Sequence, residues 1–281
     1  MLKVLKAGFF TTIQDKGRFG LLNKGVPVSG QMDLITADKV NQLLENDSDA
    51  AVMEITMTGP TLEFDGDTYI CYGGAEMSVT LNNKPLESYT VIKVLAGDIL
   101  SYGRLKKGFR NYLAIKNGFK TKVVLGSRSL YFPLTATSHI ADRMEIDYET
   151  VSDFKPKISK LKVDSLLDET ILKVYPGPEH GLLTDDQLNA LFQNEFAVAK
   201  ENNRMAYQLN YSIAQHHISM LTSATMPGTV QLTPSGKLIV LMRDGQTTGG
   251  YPRIVQLTEE AISILAQKKS GDKLSFAYAE V

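Results

Sequence analysis

At 281 residues, with 43% apolar and 22% charged residues, the chain is long enough for about two ordinary domains and too apolar to be disordered. Its 30 basic and 31 acidic residues leave a formal net charge of −1. That balance argues against a nucleic-acid surface, and no run approaches the roughly 18 apolar residues that cross a bilayer. Cys71 is the sole cysteine, so no intramolecular disulfide forms. With no apolar signal region at Met1–Lys6, a cytoplasmic protein is expected.

Residues 2–5 and 9–13 read as short strands around Ala7-Gly8, followed by two polar, turn-rich stretches, Gln14–Gly20 and Gly25–Asp33. Long irregular segments inside a compact domain are usually functional. Here Asp15, Arg18, Ser29 and Asp33 supply charge and hydroxyls, although a plain surface loop has the same composition. Apolar spacing predicts a helix over Thr36–Leu44. Short strands then follow at Val52–Thr58, Thr61–Phe64, Tyr69–Tyr72 and Met77–Leu81, the last reaching Asn82-Asn83, a type I′ hairpin signal. Cys71 in this run reads as a buried small hydrophobe. Strands at Tyr89–Leu95, Ile99–Tyr102 and Asn111–Ile115 continue the pattern, and Val123–Leu125 runs into Gly126-Ser127-Arg128-Ser129, where Arg128 is suited to an anion.

The charged stretch Val151–Glu169, with Pro156 and lysines 155, 157, 160 and 162, marks a boundary. It separates an N-terminal β-rich domain, 1–155, from a C-terminal domain, 165–281. Beyond it, Thr184 and Gln187 form a capping box for a second helix. Gln215–Ile218 looks strand-like; its neighbours His216 and His217 would face opposite sides and cannot share a metal, so one buried, hydrogen-bonded histidine is expected. A hairpin joins Thr229–Leu232 to Lys237–Met242 through Thr233-Pro234-Ser235-Gly236. The run Leu238–Met242 reads as a strand buried on both faces. It opens into the loop Asp244–Gly250 and a further strand, Tyr251–Leu257. Thr258 starts the last helix and Leu274–Tyr278 closes the chain. Many short strands with few helices predict a mainly β protein, two barrel-like domains whose loops share a cleft.

No phosphate-binding glycine loop, dinucleotide fingerprint, zinc-protease motif or nucleophile elbow occurs, and no metal site is expected. What remains is Asp, Arg, Gln, Thr and Ser on glycine-rich loops. Such groups bind amides, carboxylates and phosphates and stabilise oxyanions.

Five motifs occur in order: Gln14-Asp15-x-Gly17-Arg18-x-Gly20, Gly25-Val26-Pro27-x-Ser29-Gly30-x-Met32-Asp33, Glu54-Ile55-Thr56-x-x-Gly59-Pro60, Leu125-Gly126-Ser127-Arg128-Ser129 and Asp244-x-Gln246-Thr247-Thr248-Gly249-Gly250-Tyr251-Pro252. Together they resemble the biotin-dependent carboxyltransferase family, also called allophanate hydrolase subunit 2. That family includes the C component of bacterial 5-oxoprolinase and the carboxyltransferase region of urea amidolyase. The resemblance covers essentially the whole chain and implies two cyclophilin-like β-barrel domains acting with partners that resemble the B and A components of 5-oxoprolinase. It implies ATP-dependent opening of the lactam 5-oxoproline to glutamate. Carboxyl transfer from carboxybiotin to urea, or antagonism of a histidine-kinase inhibitor, are the alternatives. Where the family commonly has Arg-Met-Gly-Tyr-Arg-Leu, this chain has Arg204-Met205-Ala206-Tyr207-Gln208-Leu209.

No biotin attachment site is present, so biotin would act only if carried by another protein, and ATP would need a non-standard or shared site. On this reading Arg18, Arg128 and Arg204 hold phosphate or carboxylate, and Gln246, Thr247, Thr248 and the Gly249-Gly250 backbone bind the amide. Asp15 or Asp244 is the base by elimination. Gln14, Ser29, Asp33, Ser127, Gln231 and Tyr251 complete the candidate substrate-binding set.

Overall fold

The computed structural model describes residues 1–158, 161–163 and 165–280. Lys160, in the boundary stretch, and Val281, at the predicted end of the second domain, lie outside the described residues. Two compact units form: Met1–Gly17 with Ser29–Leu167, and Arg18–Val28 with Asp168–Val281. Among the described residues, no helix is long and apolar enough to cross a membrane.

The first unit contains β1 (Leu2–Lys6), β2 (Phe10–Gln14), α1 (Leu34–Leu43), β3 (Val52–Thr56), β4 (Thr61–Phe64), β5 (Thr68–Leu81), β6 (Lys84–Pro85), β7 (Ile92–Val94), β8 (Ile99–Ile115) and β9 (Glu145–Ile146). Its sheet runs β2-β3-β8-β4-β1-β9, with β5 pairing β6, β7 and β8. The central parts of β5 and β8 are apolar on both faces because both faces are covered there. Ile70 and Tyr72 of β5, with Leu113 and Ile115 of β8, join the large core. The alternate residues Tyr69, Cys71, Tyr112 and Ala114 pack instead with Ala37, Val40, Leu43 and Leu44 of α1 and its end. Val151, Phe154, Ile158 and Leu161 of the predicted boundary pack on that second cluster. Asn82 and Asn83 both take positive φ (50° and 64°), and Leu81 pairs with Lys84, as the hairpin signal predicts.

β5 does not stop at Gly73-Gly74. It continues for 14 residues, because the glycines serve close approach rather than termination. A Cβ on Gly73 would stand 2.4 Å from the Tyr89 ring, and one on Gly74 (φ +99°) would stand 2.6 Å from the Arg110 carbonyl oxygen.

The second unit contains β10 (Ile171–Pro176), α2 (Asp185–Gln193), β11 (Phe196–Asn202), β12 (Ala206–Ser212), β13 (Ser223–Ala224), β14 (Thr229–Leu232), β15 (Lys237–Leu241), β16 (Thr248–Gly249), β17 (Arg253–Leu257), α3 (Glu259–Ala266) and β18 (Lys273–Tyr278). Seven strands close in the order β10-β17-β14-β15-β12-β11-β18, while β13 and β16 form a separate ladder. Val174, Phe196, Val198, Tyr207, Val230, Leu238, Val240 and Phe276 are among its buried core residues. The α2 capping box has both reciprocal hydrogen bonds, Gln187 N–H to Thr184 Oγ1 and Thr184 N–H to Gln187 Oε1. Gln215–Ile218 forms no strand. His216 is buried there, with Nε2 3.1 Å from the Leu232 carbonyl oxygen and Nδ1 accepting from Ile218 N–H.

The expected pair of closed cyclophilin-like barrels is therefore corrected to one. Only the second unit closes; the sheet of the first stays open. The reason lies at its two ends. β9 has only two residues, and the edge of β2 is met by single bonds from irregular chain: Leu130 N–H to Ile13 O, 2.9 Å, and Ile140 N–H to Thr11 O, 2.8 Å. That irregular segment satisfies the edge strand and stands where a closing strand would be.

Candidate functional site

On the barrel of the second unit, period-two alternation sorts the strands into an interior and an outer face. Tyr207 and Leu209 of β12, Val230 and Leu232 of β14, and Leu238 and Val240 of β15 are buried. Their neighbours Gln208, Gln231 and Ile239 stand on the other face, where Gln208 pairs in register with Ile239, Ile239 with Gln231, and Gln231 with Arg253. The predicted double-sided burial of β15 thus resolves into core residues on one face and cavity wall on the other. That cavity, about 350 Å3, is lined by Glu201, Asn203, Met205, Ala206, Gln208, Gln231, Ile239, Leu241, Gln246 and Tyr251. Its volume falls within the ordinary range for small-molecule sites, about 300–1,000 Å3. Arg253, at the end of the row, is engaged elsewhere: its Nε, Nη2 and backbone N–H all donate to Glu179, and Nη1 donates to the Ala224 carbonyl. Those guanidinium hydrogen bonds hold the Glu179 carboxyl below the usual glutamate range.

The glycine-rich loop over this cavity is held at several points. Arg204 grips Asp244 with two bonds, Nε to Oδ2 at 2.8 Å and Nη2 to Oδ1 at 3.1 Å, and both side chains are largely buried. Asp244 N–H also donates to the Arg204 carbonyl. Thr225 reaches the loop from the other side, its N–H to Thr247 O and its hydroxyl to Gln246 O, and β13 pairs with Thr248-Gly249. Gln231 lies beneath, 1% exposed, its Nε2 donating to Tyr251 O at 3.4 Å. Gly249 leaves room for that closeness: a Cβ there would be 2.4 Å from Gln231 Nε2, which would have to shift. Arg18, also in this unit, is buried.

In the first unit, Asp15 organises the Gly126–Ser129 loop. Its Oδ1 accepts from Gly17 N–H (2.9 Å), Ser127 Oγ (2.5 Å) and Ser129 Oγ (2.7 Å), and its Oδ2 accepts from Arg128 N–H (2.5 Å). Four donors match the roughly four lone-pair sites of a carboxylate. Arg128 Nη1 donates to the Thr121 carbonyl. Asp15, Gly126 and Arg128 also line a polar cavity of about 270 Å3, together with Asp47, Asp49 and Lys120. Gln14 is internal: Nε2 donates to Thr12 Oγ1 and Leu130 O, and Oε1 accepts from Gly30 N–H. Asp33 caps α1 through Thr36 and donates its N–H to Tyr112 Oη. Ser29 is fully buried at φ 56°, and its Oγ has no hydrogen-bond partner among the described residues.

The family described as "Carboxyltransferase domain, subdomain A and B" matches residues 24–278. The chain belongs to that family. It is 31% identical to the C component of 5-oxoprolinase from Escherichia coli (strain K12), in an alignment covering 98% of this chain and 90% of that one. Among solved structures, TTHA0988 superposes with a TM-score of 0.89 at 24% identity, and Kluyveromyces lactis urea carboxylase with 0.85 at 24%. Those alignments cover 98% and 99% of this chain, which spans 55% of the first solved chain and 27% of the second. They show a shared fold.

Within this carboxyltransferase-family chain, several residues near the sites lie outside the candidate set read from the sequence. Glu201 and Asn203 line the barrel cavity but stand outside every motif. Alternation along Ala206–Leu209 signals that Gln208 faces away from the core. In the first unit, buried Glu54 accepts from Met32 N–H (2.8 Å) and Tyr112 Oη (2.9 Å) and lies 3.6 Å from Arg110 Nε. Tyr89, at φ 56°, accepts from Gly74 N–H and lines a cavity of about 190 Å3 with Asp33, Thr36 and Glu76. Burial pushes its phenol up. Gly73 permits that close approach, since a Cβ there would meet the Tyr89 ring.

Proposed function

We propose that this carboxyltransferase-family chain is the C-like component of an ATP-dependent 5-oxoprolinase, working with A-like and B-like partner proteins. The observation that carries the reading is the alignment with the C component of the Escherichia coli 5-oxoprolinase, which runs through nearly the full length of both chains. The amide-lined barrel cavity supports it, because primary amides offer both a donor and an acceptor to a lactam edge. In this reading Gln208, Gln231 and Gln246 hold the amide, and Thr248 and Gly249, outside the cavity lining, anchor the loop by pairing with β13. The Arg204–Asp244 pair fixes the loop that carries them.

The fit of a nucleotide is poorer. Among the described residues no cationic side chain lines the barrel cavity, Arg204 is bound to Asp244, and Arg128 Nη1 is bound to Thr121. Triphosphate recognition needs cationic or backbone N–H donors aimed at the oxygens. We therefore assign ATP to a partner protein and route no step through it here. Biotin fits better, since its ureido ring presents the same edge as an amide. This favours carboxyl transfer as the second reading, with carboxybiotin delivered by another protein and supplying the carboxyl group.

The test is enzymatic. The chain is co-expressed with its A-like and B-like partners and the purified complex is assayed for ATP hydrolysis and glutamate release. ATP consumption that depends on 5-oxoproline is expected. An intact complex with no 5-oxoproline-dependent ATPase overturns the assignment.

A further inference from the structure

The barrel cavity has a chemical bias that the family assignment does not supply. Asn203, Gln208, Gln231, Gln246, Glu201 and Tyr251 line it beside Ile239. Asn203 Oδ1 is taken by the Met205 and Ala206 N–H groups and Gln231 Nε2 by the Tyr251 carbonyl, which leaves Gln208 and Gln246 as its uncommitted amides. Among the described residues, no lysine, arginine or histidine lines it. Gln208 and Gln231 flank Ile239 on adjacent strands in register. Two strand spacings of about 4.8 Å set their backbones about 10 Å apart, enough for one flat ring over the isoleucine. The side chains of Gln208 and Gln246 enter no hydrogen bond among the described residues, so their donors and acceptors are free for a ligand. A carboxylate entering the same space would lose water, meet Glu201 and gain no counter-charge.

We infer that this cavity selects an uncharged, planar amide or ureide edge and leaves a substrate's carboxylate outside, and that Gln208 is its specificity-determining residue. The inference rests on the proposal that the barrel cavity is the substrate site. For a lactam acid, the ring amide points inward and the carboxylate lies at the mouth or against a partner. Specificity of this kind comes from matching buried polar groups and from the penalty on an unpaired charge.

Two rings that differ only by the carboxylate test it: 2-pyrrolidinone and 5-oxoproline, titrated against the full chain by ligand-observed NMR at neutral pH. The expected result is that 2-pyrrolidinone binds at least as tightly as 5-oxoproline. Gln208→Arg should shift the ratio at least tenfold toward 5-oxoproline. The near-isosteric Gln208→Glu should weaken 5-oxoproline at least fivefold more than 2-pyrrolidinone, so the inference stays testable if the arginine variant misfolds. A wild-type preference of tenfold or more for 5-oxoproline overturns it. So does binding of neither ring, or binding indifferent to both substitutions. The proposed enzymatic role fails separately: an inactive complex with the neutral-ring preference intact sinks only the 5-oxoprolinase assignment, whereas an active complex with a carboxylate preference in this chain sinks only the cavity inference.

Discussion

Replacing Asp15 by asparagine should unfold the first unit more readily, by about 3 kcal/mol. The wild-type carboxylate is 7% exposed and takes three donors on Oδ1 and one on Oδ2. Asparagine keeps one acceptor oxygen. Its best orientation leaves that oxygen with Gly17, Ser127 and Ser129 and turns its NH2 toward the Arg128 N–H, donor against donor. One bond to a charged group is lost, worth about 1.5–3 kcal/mol, and three others lose their charge assistance. The loop it holds is strained: Leu125 sits at φ 52°, a conformation that costs a branched residue about 1–2 kcal/mol. Asp15→Ala should lose about 3–5 kcal/mol on the same argument. Urea unfolding followed by circular dichroism gives the values, with m unchanged if only stability moves. A double-mutant cycle with Ser127→Ala should show a coupling of about 1–2 kcal/mol. A loss under about 0.5 kcal/mol for Asp15→Asn, or strict additivity in the cycle, would refute the view that this carboxylate latches the loop.

Three further outcomes follow from the geometry. Gly249→Ala should displace Gln231, because the new Cβ falls 2.4 Å from its Nε2; amide binding should drop at least fivefold by NMR titration, with stability falling less than about 1 kcal/mol since a flexible side chain can move. Glu179 should contribute to acid stability: its folded pKa is lowered by Arg253, so its stabilisation is full above the ordinary glutamate value of about 4.3 and is lost as pH falls through the lowered value. Glu179→Gln should therefore flatten the acid limb of the stability profile below about pH 4.3, and an unchanged limb would contradict the pairing. Cys71 is fully buried under α1, and burial pushes its thiol up to about 12. It should resist a thiol-reactive chromogen in the native protein and react once in denaturant, whereas prompt native labelling would show that this face opens.

Local chemistry was legible where the signal and its cause lie within a few residues. The Thr184–Gln187 box and the Asn82-Asn83 turn each form as their sequences dictate, since a cap or a turn is settled by immediate neighbours. The closed barrel of the second unit also follows from its strand density. The open sheet of the first does not, because its state depends on Leu130 and Ile140 meeting β2 from more than 100 residues away in the chain. Gly73-Gly74 misleads for a related reason: a glycine pair looks like a strand end, and only the ring of Tyr89 reveals why a strand continues through it. Gln231 belongs to the candidate set and lines the cavity, but Gln208 does not belong to it: it sits in an ordinary alternating strand, and nothing in its neighbours separates a solvent-facing glutamine from one that lines a cavity.

The polar residues of the motifs raise a different question, that of assigning roles by mutation. Asp15 has both oxygens engaged by a loop, Asp244 has both engaged by Arg204, Asp33 caps a helix, and Gln14 bridges two backbone segments, a hydroxyl and the Gln31 side-chain amide through its own main chain and side chain. Asp15 and Asp244 hold the loops that carry Gly126 and Gly249. Removing either would move its loop and would lower activity whether or not the residue touches substrate. A loss of turnover in Asp244→Asn is therefore no proof of a general base. The separating measurement is the pH–rate profile of the surviving activity in the assembled complex. If Asp244 is the base, the asparagine variant should lose the acid limb of the kcat/KM profile while its stability stays near wild type. If it is the partner that fixes Arg204, the limb should persist, kcat and stability should fall together, and Arg204→Lys, which keeps the charge but not the fork, should reproduce the loss.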